Sequence, residues 1–165
     1  MERLDLIKEK IYTLDRLQKQ LAVWRFKSKK IVFTNGCFDV LHLGHIEYLA
    51  KARDLGNILI VGLNSNESVH RLKGLHRPVN DEHARAITLA SLSFVDAVIL
   101  FGEDTPKELI RQIQPDILTK GKDYEEKEIV GSDIVQETGG EVVTIDLVQG
   151  YSTTQTLEKM NKETG

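Results

Sequence analysis

The sequence predicts an α/β fold: a doubly wound, mostly five-stranded parallel sheet with an N-terminal helical extension. Three observations predict it. Short apolar runs rich in β-branched residues recur along the chain, as in strands buried on both faces. Segments with helical periodicity separate these runs, which is the alternation of a parallel sheet wound with crossover helices. The hydrophobic period also changes near residue 27, setting a helical extension (1–27) apart from an α/β domain (28–165).

Taken in order, Leu4, Ile7, Ile11, Leu14, Leu17 and Leu21 recur at steps of three and four, the stripe of one amphipathic helix. That helix offers a face for packing on the domain or for a homodimer. Strands are then expected at Ile31–Phe33, Ile58–Val61, Val95–Phe101, Ile117–Leu118 and Val142–Ile145. Helices are expected over His45–Leu55, Glu82–Ser91, Pro106–Ile113, Ser132–Thr138 and Thr153–Met160. The arrangement is Rossmann-like. In such sheets ligands bind beyond the carboxyl ends of the strands, so the loops after Thr34, Gly62, Phe101, Thr119 and Asp146 are where chemistry is expected.

Length and composition fit one soluble domain of 165 residues. The single cysteine, Cys37, excludes an internal disulfide and suits a reducing compartment. No apolar run reaches membrane-spanning length, so a cytoplasmic protein without a membrane partner is expected. The net charge of −3 gives no reason to expect a nucleic-acid partner. Positive charge clusters instead at His70-Arg71-Leu72-Lys73-Gly74-Leu75-His76-Arg77, either a site for a small anion or a solvated loop.

The strongest signal follows the first strand of the domain: Thr34-Asn35-Gly36-Cys37-Phe38-Asp39, then His42-Leu43-Gly44-His45 opening a helix. Gly36 permits close backbone approach. Gly44 removes bulk where a helix N-terminus offers unpaired N–H groups and partial positive charge to an anion. His42 and His45, three apart, can address one bound anion. Zinc on Cys37, His42 and His45 lacks a fourth ligand, so no metal site is expected in the protein itself. Cys37 reads as packing rather than as a nucleophile. Neither a P-loop nor a dinucleotide glycine fingerprint is present.

These residues, Thr-x-Gly-x-Phe-Asp-x-x-His-x-Gly-His, resemble the signature of the His-x-Gly-His nucleotidyltransferase superfamily. Its members transfer a nucleoside monophosphate to a phosphorylated acceptor and release pyrophosphate. Further segments resemble the adenylyltransferase domain of the bifunctional heptose-phosphate kinase and adenylyltransferases: Arg71-Leu72-Lys73-Gly74, Arg77-Pro78-Val79-Asn80, Glu103-Asp104-Thr105-Pro106, Pro115-Asp116-Ile117-Leu118, Lys120-Gly121-Lys122-Asp123-Tyr124 and Gly150-Tyr151-Ser152-Thr153-Thr154. That resemblance implies ATP as donor, with Mg²⁺, and D-glycero-β-D-manno-heptose 1-phosphate as acceptor. The product would be ADP-heptose for lipopolysaccharide or another glycan, and a separate sugar kinase would supply the substrate. Two departures stand out. Asn66 occupies a position where many relatives carry Asp. Leu147 and Val148 stand where the glycerol-phosphate cytidylyltransferases have Arg, which favours the adenylyltransferase.

The reaction needs anions brought together and charge stabilised rather than a general base. His42, His45 and Lys73 are therefore the candidate catalytic residues. Nucleotide contacts are expected from Thr34 (by its hydroxyl), Asn35, Gly36, Phe38, Gly44, Arg77, Lys120, Gly121, Asp123, Ser152, Thr153 and Thr154. Asp39, Asn64, Lys73 and Arg85 are the candidate acceptor contacts. Asp39 could equally brace its loop, Ser152 could simply cap its helix, and Arg85 could form a surface salt bridge. Three other readings stay open: a glycerol-3-phosphate cytidylyltransferase or other polyol-phosphate transferase, a nucleotide-binding sensor without catalysis, and a metal-binding module.

Overall fold

A computed structural model describes residues 1–122, 125 and 128–162. Its elements run α1 (Arg3–Glu9), β1 (Ile11–Tyr12), α2 (Leu14–Phe26), β2 (Ile31–Gly36), α3 (Leu43–Asp54), β3 (Ile58–Asn64), α4 (Asn66–Lys73), α5 (Glu82–Ala90), β4 (Ala97–Phe101), α6 (Lys107–Ile113), β5 (Ile117–Gly121), α7 (Ser132–Glu137), β6 (Glu141–Ile145) and α8 (Thr153–Lys162). The strands form one parallel sheet in the order β1-β4-β3-β2-β5-β6.

Alternation along the strands divides the core between the two faces of the sheet. Ile31, Phe33, Ile58 and Ile60 pack with Leu17 and Leu21 of α2 and Leu109, Ile110 and Ile113 of α6. Val32, Leu59, Val61 and Leu63 pack with Tyr48, Leu49 and Ala52 of α3 and Ala86, Leu89 and Ala90 of α5. Burial on both faces is why these strands read as continuous apolar runs.

The sheet has six strands rather than the expected five, and the sixth lies in the N-terminal segment. The single helix expected over Leu4–Leu21 is two helices, interrupted at Ile11–Tyr12. The β-branched and aromatic pair forms the edge strand β1, in register with Val98 and Ile99 of β4. Thr13 then caps α2 by accepting from the Arg16 amide. Arg16 fixes the break by donating to the Glu9 and Ile11 carbonyls and lying over the Tyr12 ring. Residues 1–27 thus supply a strand to the sheet and, through Leu17 and Leu21, part of its core.

Helix α4 is the second departure, because the sequence reading placed no helix there. Ser65 caps it by accepting from the Ser68 amide. Only Ser68 and Val69 are buried along it, so no apolar stripe announces it.

Candidate active site

The strand order reverses between β2 and β5, and this is where an open α/β sheet offers its ligand crevice. A cleft of about 350 Å³ opens there, walled by the β2–α3 loop, Lys120 and Gly121 at the end of β5, Lys73 of α4, and the segment from Leu147 to Thr154. Lys120 Nζ donates to the Asn35 carbonyl at 3.0 Å, so a cation spans the divergence of β2 and β5.

Two glycines shape the first loop through what their missing Cβ atoms leave room for. A Cβ on Gly36 would meet the Phe38 ring at 2.9 Å. Phe38 itself adopts a left-handed φ of 44°, a strained conformation for an aromatic residue, and its ring edge meets His45 at a centroid distance of 5.3 Å. A Cβ on Gly44 would meet the His42 ring at 2.9 Å. The glycine between the histidines therefore lets His42 fold back over the first turn of α3, where it stacks on His45 with centroids 3.8 Å apart.

His42 is the N-cap of α3, and its side chain accepts no backbone N–H. His42 Nδ1, His45 Nδ1 and Asn35 Oδ1 are buried without hydrogen-bond partners among the described residues. Buried polar atoms are normally satisfied, so three orphans around one cleft mark a place built for a polar ligand. Desolvation lowers the His42 pKa from 6.5. Desolvation above all, with repulsion from His42 and the Lys73 ammonium, lowers that of His45 to about 4. Both rings are neutral near pH 7, each with one N–H to donate.

This has a consequence for stability. The folded-state pKa lies below the unfolded value, so as pH falls the unfolded chain takes up the proton first. The stabilising difference is complete above about pH 6.5, declines as pH drops toward 4, and is constant below that. His45→Gln should flatten the fall in urea-unfolding free energy between pH 7 and pH 4.5. Parallel curves for the two proteins would refute the assignment.

Behind the cleft, charged side chains hold the loops together. Asp39 lines the wall, but its carboxylate accepts from Arg77 Nε at 2.7 Å and from the amides of Val79 and Asn80. Burial alone would raise its pKa; the Asn80 and Val79 amides and Arg77 instead hold it below the usual carboxylate value. Here Asp39 braces the loop over residues 77–80, and its expected contact with an acceptor hydroxyl has no free oxygen to use. Arg77 is turned to Asp39 rather than lining the cleft, with its Nη2 buried and unpartnered among the described residues.

Arg85 is 1% exposed, so neither a direct acceptor contact nor a surface salt bridge describes it. Its guanidinium donates to the carbonyls of Cys37, Asn64 and Asn80 and to Asn66 Oδ1, at 2.8–3.0 Å. It ties the loops after β2 and β3 to the one before α5. Asn66 thus takes part in the support of the site, with a neutral amide oxygen where a carboxylate would form an ion pair. Asn64, also expected to contact the acceptor, is buried with its amide on Ser68 Oγ. Thr34 is fully buried and does not line the cleft, and its hydroxyl bonds Tyr48 at 2.8 Å.

The basic cluster resolves into distinct roles. Arg71 pairs with Asp104, Arg77 pairs with Asp39, and Lys73 at the end of α4 reaches the cleft with no ion pair among the described residues. On the far wall, Ser152 caps α8 by accepting from the Gln155 amide, and Thr153 Oγ1 donates to the Val40 carbonyl at 3.3 Å. A second helix N-terminus is thereby held against the histidine loop. Thr154 lines the same wall, whereas Asp123 lies outside the described residues.

The structure therefore gathers Asn35, Gly36, Phe38, Asp39, His42, Gly44, His45, Lys73, Lys120, Gly121, Ser152, Thr153 and Thr154 at one cleft, and leaves Thr34, Asn64, Arg77 and Arg85 behind its walls. It adds Cys37, Tyr48, Leu147, Val148 and Tyr151, which sequence reasoning did not place in the site. For Tyr48 a signal existed: it follows His45 by three on one helix, and a threonine directly follows the apolar run of each of two strands, at Thr34 and Thr119.

Comparison with known proteins agrees with this geometry. The cytidylyltransferase-like family model matches residues 33–158. The bifunctional protein HldE of Wolinella succinogenes is 53% identical over 152 residues, covering 92% of this chain and 31% of that protein. The protein of the same name from Nitratiruptor sp. is 59% identical over 134 residues, 81% of this chain and 28% of that protein. The chain thus spans about a third of the length of these relatives. Among solved structures, the lipopolysaccharide core biosynthesis protein of Thermoplasma volcanium GSS1 superposes with a TM-score of 0.61 at 32% identity, covering 75% of this chain and 99% of that one. No helix among the described residues is long and apolar enough to cross a membrane. A Rossmann-like sheet, a two-histidine helix N-terminus at its switch point and a family match across most of the chain lead to one conclusion: the chain belongs to the cytidylyltransferase-like family and is a nucleotidyltransferase.

Proposed function

We propose that the protein transfers AMP from ATP to D-glycero-β-D-manno-heptose 1-phosphate, giving ADP-heptose and pyrophosphate. The observation that carries this reading is the pair of stacked histidines at the N-terminus of α3, sharing with Lys73 a cleft that α8 also faces. The similarity to HldE proteins and the apolar Leu147–Val148 wall favour the adenylyl and heptose assignment over cytidylyl transfer to a polyol phosphate. The setting is cytoplasmic, with a sugar kinase activity supplying the acceptor; a homodimer would use faces outside the cleft.

An ionised oxygen of the sugar phosphate attacks the α-phosphorus of ATP in line. A new P–O bond forms as the bond to the bridging oxygen breaks, and its electron pair leaves on pyrophosphate. No covalent enzyme intermediate is needed. His42 and His45 donate N–H bonds to the triphosphate, strengthening as charge shifts to the leaving oxygens. The amides at the starts of α3 and α8 hold phosphate oxygens, and Lys120 lies at the nucleotide wall. Lys73 bridges the two anionic substrates. Mg²⁺ enters with ATP as part of the substrate; Asp39, the one carboxylate lining the cleft among the described residues, is engaged by Arg77 and the Val79 and Asn80 amides.

Lys73→Ala should lower kcat and raise the acceptor KM, each by about tenfold or more, because a bridging cation acts on both the bound and the transition state. Mass spectrometry of the product should show the ADP-sugar. Unchanged kinetic constants would remove Lys73 from the mechanism, and a CMP adduct formed in preference would overturn the donor assignment.

A further inference from the structure

Besides its two histidines, the N-terminal half of α3 carries the phenol of Tyr48. It is 7% exposed, on the face of α3 that meets the sheet, and follows Gly44 by four residues and His45 by three. Its hydroxyl lies 2.8 Å from Thr34 Oγ1 on β2 and 3.4 Å from Thr119 Oγ1 on β5. Both threonines are fully buried in strands whose other inward residues are apolar. The three hydroxyls meet where β2 and β5 begin to part, beneath the cleft.

From this juxtaposition we infer that Tyr48 is a positioning residue for nucleotidyl transfer, pinning the first turn of α3 to the β2–β5 seam and so fixing His45. The other buried contacts of α3 on this face, Leu49 and Ala52, are apolar and non-directional, and permit the helix to slide or roll by fractions of an ångström. A hydroxyl shared between two strands does not, because hydrogen bonds weaken steeply with angle and distance. Displacements of that size matter where catalysis consists of holding donors against a transition state. The role also accounts for two fully buried threonine hydroxyls, which without the phenol would lose a hydrogen-bond partner. It rests on the functional reading above only for its kinetic consequence.

The test compares Tyr48→Phe, Thr34→Val and the double variant with the unaltered protein. Pyrophosphate release from ATP and heptose 1-phosphate gives kcat and KM, melting gives the folded fraction, and NMR titration follows the His45 imidazole, which faces His42, Lys73 and the Phe38 ring edge. The pin predicts kcat down about tenfold in each single variant, the ATP KM within about twofold, and a double variant no worse than either single. It also predicts a His45 pKa that rises from about 4 toward the free-imidazole value once the ring is less firmly held. A kcat within twofold of the parent with an unmoved His45 titration would overturn it, as would a loss of activity that merely follows loss of folded protein. Absence of pyrophosphate from the unaltered protein would instead count against the functional reading, and the imidazole titration would then decide the pin alone.

Discussion

Replacing His45 by alanine is expected to reduce kcat by about 10²–10³ while leaving the fold intact, because in the proposed mechanism it removes a fixed donor aimed where charge develops in the transition state. The ring sits between His42 and the edge of Phe38, so its orientation is set before any substrate arrives. That preorganisation is held at a cost: Nδ1 is buried and unpartnered among the described residues, and desolvation drives the pKa to about 4. Removing the ring releases the cost, so thermal stability should hold or rise slightly although packing is lost. Steady-state pyrophosphate release alongside a melting curve checks both halves. Near-normal turnover would show that His45 does not touch the reacting phosphates.

Arg85→Ala should do the opposite and damage the fold first. The guanidinium satisfies three carbonyls from three loops, that of Asn64 buried and those of Cys37 and Asn80 partly so, and the alanine variant strands them together. The buried Asn64 carbonyl costs about 1–3 kcal/mol when unsatisfied and the two part-buried ones about 1 kcal/mol each, so a loss of roughly 3–5 kcal/mol is expected. Typical domain stability is only about 5–15 kcal/mol, so that loss is a large share of the whole. Activity should fall with it, because the same bonds shape the Asp39 loop and the Cys37 turn. Lysine should rescue little, since one ammonium cannot span the four acceptors. Urea midpoints measure the effect, and a change below about 1 kcal/mol would contradict the account.

The contrast between these two residues shows what the sequence made legible. His42, Gly44 and His45 sit together in the chain, so local spacing revealed a helix N-terminus with two imidazoles, and the structure adds that Gly44 makes room for their stacking. Arg85 acts through groups 5 to 48 residues away, and nothing local distinguishes it from a helix-surface arginine. Asp39 was ambiguous for the same reason: its partners at Arg77, Val79 and Asn80 arrive by way of tertiary structure.

The fold was readable where burial on both faces produced continuous apolar runs. It was not readable where tertiary pairing overrode local pattern. Ile11 lies in a helical stripe but is drawn out with Tyr12 to cover the edge of β4, and α4 forms on a cap with little apolar surface to declare it. Tyr48 belongs to the same lesson, since a buried phenol gains meaning only when Thr34 and Thr119 are seen around it.

The most direct measurement crosses ATP, CTP and GTP with a panel of sugar and polyol phosphates, following pyrophosphate release by the purified protein. The account predicts release with ATP and heptose 1-phosphate at a kcat/KM at least about tenfold above any CTP or glycerol-phosphate combination. Preference for CTP with glycerol 3-phosphate, or ATP binding without pyrophosphate from any acceptor, would contradict it.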